Sequence, residues 1–357
     1  MKILAVHTVD WGIEHKESGV DIWRIWRPLE ELKKHVDWQI DYQHTFIPGI
    51  AKYQDQKEFT DEELEKAAAK LGDYDIVFSS YHPDPTAYSL LRVVEKRYGT
   101  KFVLDIDDNM FAIDEDNPFW AKVDDWGVFV MQQTIRKNKY ITTTTEKLKK
   151  VIEERSDAKV YIAPNYISDA YEEVNPDNGD KIIIGYFGGA SHYGDLNESN
   201  LLPALQKVMH EHKNVYFHSF VPFDYYLPRQ RAKMIDGVRG QAWARDMFPE
   251  LGFDISLAPL RDTIFNASKS DIKWQESTRM GAAFVCSDIG PYKVLRDEAA
   301  IRVKNTVDEW YAALKTLVED QEKRTSLVSS ARAELKTLES NWRVYERIFM
   351  EVYNEDN

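Results

Sequence analysis

The chain has 357 residues, which is enough for two domains of ordinary size and excludes a single small module. Apolar residues make up 43% and charged residues 30%, as in folded globular proteins and unlike disordered ones. Acidic residues outnumber basic residues 60 to 46, and the resulting net charge of −14 opposes nonspecific binding to nucleic acid.

The expected compartment is the cytoplasm. The first apolar run is far shorter than the ~20 residues that cross a membrane, and the layout of a signal peptide is absent. The single cysteine, Cys286, excludes an internal disulfide and a cysteine-based zinc site, and it lies in an apolar strand where an inert thiol is expected. These features are typical of a protein from a reducing compartment.

Short apolar runs alternate with stretches of helical spacing, a pattern that predicts βαβ units and parallel sheets. In chain order, the first series of predicted strands is 2–7, 38–43, 75–79, 101–106, 140–143 and 160–163. Their predicted helices are 22–34, 61–71, 86–97, 128–137 and 146–154. A second series of strands, 182–187, 215–220, 255–258, 284–287 and 301–303, follows a turn-rich stretch. The predicted C-terminal helices are 307–319, 321–335 and 339–353.

We therefore predict an α/β protein with two Rossmann-like doubly wound domains facing across a cleft. The first domain is predicted to span residues 1–170 and the second residues 171–336. Residues 337–357 contain an amphipathic helix that must pack on another surface. In such sheets ligands bind at the carboxyl ends of the strands, so the candidate residues are those that follow each strand.

Two glycines, Gly188 and Gly189, follow the first strand of the second series. Glycine lets the backbone approach a phosphate or a sugar closely, and N–H groups at a helix start favour an anion. This predicts part of a donor site, although a tight turn explains the glycines equally well.

The segment with the most candidate site residues follows the third strand of the second series. If a helix begins near Ser268 or Ser270, then Lys269, Lys273 and Glu276 lie on one of its faces. Two lysines one turn apart at a helix start repel each other and the helix dipole, and a bound anion would reverse that cost. This predicts a diphosphate bound by the two lysines, Ser270 and the helix-start N–H groups, with sugar hydroxyls on Glu276. The alternative is a solvated basic face with a Lys273–Glu276 pair.

Three carboxylates, Asp105, Asp107 and Asp108, cluster where a strand of the first series ends. Neighbouring like charges raise one another's pKa, which suits a residue that orients or deprotonates a hydroxyl. The alternatives are a Mg²⁺ or Mn²⁺ site on Asp105 and Asp107, and a loop that caps the next helix. Near the first strand, Gly19 precedes a helix that carries Arg24, and this also suits an anionic or sugar ligand.

Several stretches resemble landmarks of the retaining glycosyltransferases with two Rossmann-like domains, the GT-B group, in its family-4-like branch. They are SGVDIWRIWRPLEEL, FVLDIDDNMF, TTTTEKLKKVI with APNYIS, GYFGGASHYGDL, and the segment from SLAPL to IGPY. The resemblance implies a cytoplasmic enzyme of carbohydrate biosynthesis that transfers a hexose from a nucleotide diphosphate sugar, such as UDP- or GDP-hexose, with retention. It also implies that the C-terminal helix crosses back to the first domain.

On this interpretation, Lys269 and Asp107 or Asp108 are the catalytic candidates. The expected donor-binding residues are Gly19, Gly188, Gly189, Lys269, Ser270, Lys273 and Glu276. Trp11, Arg24 and Trp120 are expected on the acceptor side. Because lysines and helix ends can replace a cation, no metal and no other cofactor is expected. The acceptor is a glycan, a lipid-linked group or another hydroxyl compound.

The chain departs from the family pattern at two places. The family often has two glutamates eight positions apart, and Glu276 matches the second while Ser268 replaces the first. Ser191 and His192 stand where the family often has a basic pair, so the phosphate-binding role shifts to Lys269 and Lys273.

Two alternative functions remain open. One is a nucleic-acid-modifying sugar transferase of phage type, for which the basic residues are Arg229, Arg231, Lys233, Arg239 and Arg245. The other is a non-catalytic nucleotide-sugar-binding protein, for which Ser268 is the motive. The aromatic content of 13% adds stacking surface, with Trp11, Trp120 and Trp126 expected on the acceptor side. The run from Phe220 to Tyr226 is expected near the donor base.

Overall fold

The computed structural model describes residues 1–6, 21–43, 60–80, 85–115, 117, 125–167, 173–235 and 250–355. The first of its two parallel sheets has the strand order β2-β1-β3-β4-β5-β6. Its strands are β1 (Lys2–Val6), β2 (Gln39–Gln43), β3 (Ile76–Ser80), β4 (Lys101–Ile106), β5 (Tyr140–Thr143) and β6 (Lys159–Ile162). All six were predicted to within two residues at each end.

The second sheet is also parallel, with the order β12-β11-β10-β7-β8-β9. Its strands are β7 (Ile182–Tyr186), β8 (Val215–Ser219), β9 (Ala232–Met234), β10 (Ile255–Ala258), β11 (Ala283–Ser287) and β12 (Ile301–Val303). Only β9 was missed. It is a three-residue edge strand with no buried residue, so it lacks the apolar signal by which the others were found.

Helices cover both sheets, as continuous apolar strands require. The helices of the first half are α1 (Arg27–Leu32), α2 (Asp61–Gly72), α3 (Pro85–Tyr98), α4 (Asp125–Lys137) and α5 (Glu146–Glu153). Those that follow are α6 (Tyr193–Glu198), α7 (Leu201–Glu211), α8 (Ile264–Ala267), α9 (Ile272–Arg279), α10 (Val307–Glu319), α11 (Gln321–Leu335) and α12 (Asn341–Asn354). None of the described helices combines the length and the apolar character that a bilayer crossing needs.

The first predicted helix, 22–34, is corrected by the structure. The chain forms a π-helical turn, Asp21–Trp26, before α1 begins. Pro28 lies in the first turn of α1, where its missing N–H leaves no helical hydrogen bond unmade. The π-helical turn brings Arg24 inward, to 0% exposure.

The chain crosses from the first sheet to the second between β6 and β7, and α12 returns to the first. The apolar stripe of α12 packs into the core of the first sheet through Val344, Tyr345, Ile348, Phe349 and Val352. Asn341 Nδ2 donates a hydrogen bond to the Trp23 carbonyl at 3.2 Å. The expected crossing of the C-terminal helix is therefore confirmed.

Candidate active site

The carboxyl edges of the two sheets meet through direct hydrogen bonds. Asn109, three residues beyond β4, donates from Nδ2 to Ser268 Oγ at 3.3 Å. Thr145 Oγ1, which follows β5, donates to the Ser268 carbonyl at 3.0 Å. Ser268 is 0% exposed, so its hydroxyl and carbonyl serve contact between the halves. This is the position at which the glycosyltransferases that the sequence resembles often have a glutamate.

A second set of contacts joins the crossing segment to α9. Asn165 Nδ2 donates to Ser270 Oγ at 2.8 Å. Gln275 Nε2 donates to the Asn165 carbonyl at 2.9 Å, and Gln275 Oε1 accepts from Ile167 N at 2.9 Å. Because Gln275 is 1% exposed, these hydrogen bonds are shielded from water and fix α9 relative to the first sheet.

Arg24 forms a buried ion pair with Asp105 at the end of β4. Its Nε donates to Asp105 Oδ2 at 3.0 Å and its Nη2 to Asp105 Oδ1 at 2.5 Å. The remaining nitrogen, Nη1, donates to the Ala163 carbonyl and, at 3.2 Å, to Asn165 Oδ1. The guanidinium therefore holds three segments together, which corrects the expectation that Arg24 contacts an acceptor.

Both oxygens of the Asp105 carboxylate accept hydrogen bonds from Arg24, and Thr142 Oγ1 also donates to Oδ1 at 2.6 Å. Asp105 is 1% exposed. This arrangement opposes the alternative of a metal held by Asp105 and Asp107. Among the described residues, no three His, Cys, Asp or Glu side chains are arranged as a metal set.

Asp107 and Asp108 remain partly exposed beyond the ion pair. Burial raises the pKa of Asp107 well above its ordinary value, and the charges of Asp108 and Asp105 raise it further, while Arg24 opposes them. A carboxyl group with a raised pKa at a strand end can exchange a proton or a hydrogen bond with a hydroxyl.

The helix that was predicted to begin near Ser268 or Ser270 begins later in the structure, so that prediction is wrong. Thr263 Oγ1 accepts from Asn266 N at 3.2 Å and caps α8, which ends before Ser268. The next helix, α9, begins only at Ile272, and Ser270 Oγ accepts a hydrogen bond from Asn165. Lys269 therefore lies in the link between two helices and not one turn before Lys273 on a single helix.

Lys273 lies against the turn that follows β7. Its Nζ donates to the Phe187 carbonyl at 2.6 Å. A Cβ atom on Gly188 would lie 3.2 Å from this Nζ and 3.0 Å from His192 Cδ2, so glycine makes room for both side chains. Burial lowers the pKa of Lys273 to about 8, with Lys269 adding to the shift and Glu276 opposing it.

The structure brings most of the predicted donor-site residues together in space despite the shorter helix. Lys269 and Lys273 both act electrostatically on His192, which forms a 2.9 Å hydrogen bond with Asp195 through Nδ1. Glu276 is 5% exposed and acts electrostatically on Lys273. The result is a cluster of cationic groups at the glycine turn, and the Asn109–Ser268 hydrogen bond connects it to the acidic end of β4.

Comparison with protein-family profiles gives no match, and comparison with curated proteins gives none either. Solved structures do match. Sucrose-phosphate synthase from Thermosynechococcus elongatus superposes with a TM-score of 0.65 at 11% identity, over 99% of this chain and 98% of that one. The structure of HepE from Anabaena in complex with UDP-glucose gives a TM-score of 0.63 at 13% identity, over 99% of both chains.

A structure described as trehalose-6-phosphate from E. coli bound with UDP-2-fluoro glucose gives a TM-score of 0.59 at 12% identity, over 99% of both chains. These structures are GT-B glycosyltransferases, and their two facing domains match the two parallel sheets described above. This chain has the GT-B fold. In the GT-B fold the carboxyl edges that meet at Asn109 and Ser268 border the interdomain cleft.

Several predicted residues of the GT-B cleft lie outside the described residues, namely Gly19, Trp11, Trp120 and the side chain of Trp126. Among the described aromatic residues, Phe223 is partly buried and packs edge-to-face on the core residue Phe217, with the ring centroids 5.4 Å apart. Tyr226 is 73% exposed and is available for stacking.

The proposed nucleic-acid strip is only partly described. Arg231 donates to the carbonyls of Met209, His212 and Val215, at 2.8, 3.0 and 2.9 Å, so its guanidinium holds the edge of the second sheet. Arg239 and Arg245 lie outside the described residues. Arg231 therefore gives no support to phosphate binding along this strip.

A cavity of about 690 Å³ lies away from the strand ends that carry the predicted donor site. It is located between α11 and the crossing segment, the part of the chain between β6 and β7. Its lining includes Asn175, Pro176, Arg324, Arg332 and Lys336. It contains no residue of the predicted donor site. It is therefore separate from the predicted donor site.

Sequence reasoning missed the roles of Asn109, Asp195 and Asn266. Asn266 Nδ2 donates to Asp195 Oδ1 at 2.6 Å, although the two residues are 71 positions apart. The only signal of such a network was the spacing of His192 and Asp195, three residues apart at a helix start. Long-range polar contacts of this kind are set by tertiary packing and leave no periodic pattern.

Arg24→Met is expected to destabilise the protein by about 3–5 kcal/mol, because the buried Asp105 carboxylate loses its partner. The double variant Arg24→Met/Asp105→Asn should recover part of this loss. Urea unfolding monitored by circular dichroism measures the change. The matched control is Arg97→Met, which breaks a surface pair with Glu65 and should leave the unfolding midpoint unchanged. Equal midpoints for Arg24→Met and wild type would contradict this assignment.

Proposed function

We propose that the chain is a glycosyltransferase of family-4-like type that moves a hexose from a nucleoside diphosphate sugar to an acceptor hydroxyl with retention. The observation that carries the proposal is the cluster of Lys269, Lys273 and Gly188 at the end of β7. Burial lowers the pKa of Lys273, because it disfavours the charged form, and a bound diphosphate would stabilise that charged form. The GT-B neighbours support a nucleotide-sugar donor, since one is a complex with UDP-glucose and another with UDP-2-fluoro glucose.

The chemical demand in such a reaction is the negative charge that builds on the departing diphosphate. Preorganised cations and N–H groups stabilise that charge in the transition state. Lys273 and Lys269 supply the cations here, and the Gly188–Gly189 backbone allows close approach of the phosphate oxygens. We propose on this ground that the reaction needs no metal.

The other roles follow from position. Glu276, one turn beyond Lys273 on α9, is proposed to accept hydrogen bonds from the ribose. Asp107 or Asp108 is proposed to orient the acceptor hydroxyl or the sugar from the opposite sheet. The acceptor itself is proposed only as a hydroxyl compound, such as a glycan or a lipid-linked sugar.

The test is turnover of UDP-, GDP-, ADP- and dTDP-glucose, measured as release of the nucleoside diphosphate with and without added acceptors. Lys273→Met, Lys269→Met and Glu276→Gln should each lower kcat/KM by about 100-fold or more, the scale for losing a group that stabilises transition-state charge. Lys323→Met, at an exposed position of α11, is the matched control and should keep full activity.

Wild-type rates in all three site variants would overturn the site assignment. Activity that EDTA abolishes and Mn²⁺ restores would overturn the proposal that no metal is needed. The anomeric configuration of the product, read by proton NMR, decides retention.

The pH dependence gives a separate prediction. Because the pKa of Lys273 in the free protein is about 8, its charge is present below that pH and is lost as the pH rises through it. The profile of kcat/KM reports groups of the free enzyme, so it should fall above pH 8. Lys273→Arg keeps a charged group at all these pH values and should lack this fall, at a lower overall rate. A wild-type profile that is flat to pH 9.5 would contradict the assignment.

A further inference from the structure

His192 and Asp195 form a buried couple beside the glycine turn. The two side chains are 11% and 2% exposed, and His192 Nδ1 lies 2.9 Å from Asp195 Oδ2. Asp195 also accepts hydrogen bonds from Asn266 Nδ2 at 2.6 Å and from Arg261 N at 3.0 Å. Three donors thus fix one carboxylate whose role the proposed reaction has not yet required.

The hydrogen bond to Asp195 sets the tautomer of His192. Burial acts to raise the pKa of Asp195, but the hydrogen bonds from His192 and Arg261 N and the charge of Lys269 lower it overall, so the carboxylate is ionised and can only accept. The ring proton of a neutral His192 therefore lies on Nδ1. Its Nε2 carries a lone pair and is the atom that can take up a further proton.

The carbon edge of the His192 ring faces Gly188. The ring carbons Cδ2 and Cγ would lie 3.0 and 3.3 Å from a Cβ atom on Gly188, and Lys273 Nζ would lie 3.2 Å from the same atom. The imidazole edge and the ammonium group therefore flank one glycine. An anion that approaches the Gly188 backbone meets both.

The groups around His192 keep it neutral in the absence of an anion. Burial, together with the charges of Lys269 and Lys273, lowers the pKa of His192 to about 3, although Asp195 opposes them. From the neighbouring elements, Arg261 Nε lies 3.8 Å from Asp195 Oδ1, and burial holds the pKa of Tyr186 well above its ordinary value. A diphosphate placed between the lysines would cancel their repulsion and favour the imidazolium.

We propose that His192 is a proton-accepting residue of the donor site, neutral in the free protein and protonated when the diphosphate binds beside Gly188. One proton passes from solvent to Nε2 as the donor binds. Both ring N–H groups then donate, Nδ1 to Asp195 and Nε2 to a phosphate oxygen. The proton returns to solvent when the nucleoside diphosphate leaves. This inference rests on the proposed function and adds a third, ligand-dependent cation to its two lysines.

Isothermal titration calorimetry with UDP-glucose at pH 6.5 tests the inference, in two buffers of different ionisation enthalpy. The diphosphate of this probe does not titrate near pH 6.5, and Lys273, with a pKa of about 8, is already charged. The difference in heat between the buffers therefore counts protons taken up elsewhere. We expect close to one proton per bound ligand.

His192→Gln should bind UDP-glucose about tenfold more weakly and without proton uptake, since the amide cannot be protonated. Asp195→Asn should also lower the uptake, because it removes the charge that stabilises the imidazolium. The matched control is His210→Gln, at an exposed position of α7, which should leave the uptake unchanged. Circular dichroism establishes that each variant is folded, and if His192→Gln does not fold, the wild-type and Asp195→Asn values decide.

Binding of UDP-glucose to the wild type without proton uptake at pH 6.5 would overturn the inference and leave the proposed function standing. Undiminished uptake in folded His192→Gln would do the same. If UDP-, GDP-, ADP- and dTDP-glucose all fail to bind, the proposed function fails, and this inference fails with it.

Discussion

The buried ion pair between Arg24 and Asp105 is the constraint on which the geometry of the cleft depends. Removing both charges from water is costly, and only full pairing offsets the cost. Here Arg24 donates to Asp105, Ala163 and Asn165, which belong to the end of β4 and to the segment after β6. The pair thereby fixes the end of the acidic strand and the start of the crossing segment together. Asn165 in turn forms hydrogen bonds with Ser270 and Gln275, and these connect the ion pair to the second half of the chain.

The carboxyl edges of the two sheets carry groups of opposite charge. On the first sheet, Asp107 and Asp108 follow β4, and burial raises the pKa of Asp107. On the second, Lys269, Lys273 and His192 surround the glycine turn after β7. A donor with a charged diphosphate and a neutral sugar matches this division, with the phosphates on the cationic side. The hexose and its acceptor would then lie toward the carboxylates.

The strands of the GT-B fold could be predicted from the sequence because buried parallel strands are apolar along their length. Edge strand β9 has no buried residue and was missed. Lys269 and Lys273 were correctly placed near each other, but for a wrong reason, since α9 begins at Ile272 and not near Ser268. Ser270, just before α9, accepts a hydrogen bond from Asn165, which lies 105 residues away, and such a contact leaves no local sequence pattern. Arg24 was wrongly expected on the acceptor side for the same reason, because no residue near it in the sequence indicates that its partner is Asp105.

The most direct measurement is a crystal structure of the protein with a bound nucleoside diphosphate sugar. We expect the diphosphate to lie beside the Gly188–Gly189 backbone, within hydrogen-bond distance of Lys273 Nζ, and the nucleoside to lie along the second sheet. A nucleotide bound instead in the cavity between α11 and the crossing segment, with the Lys273 ammonium still on the Phe187 carbonyl, would contradict it.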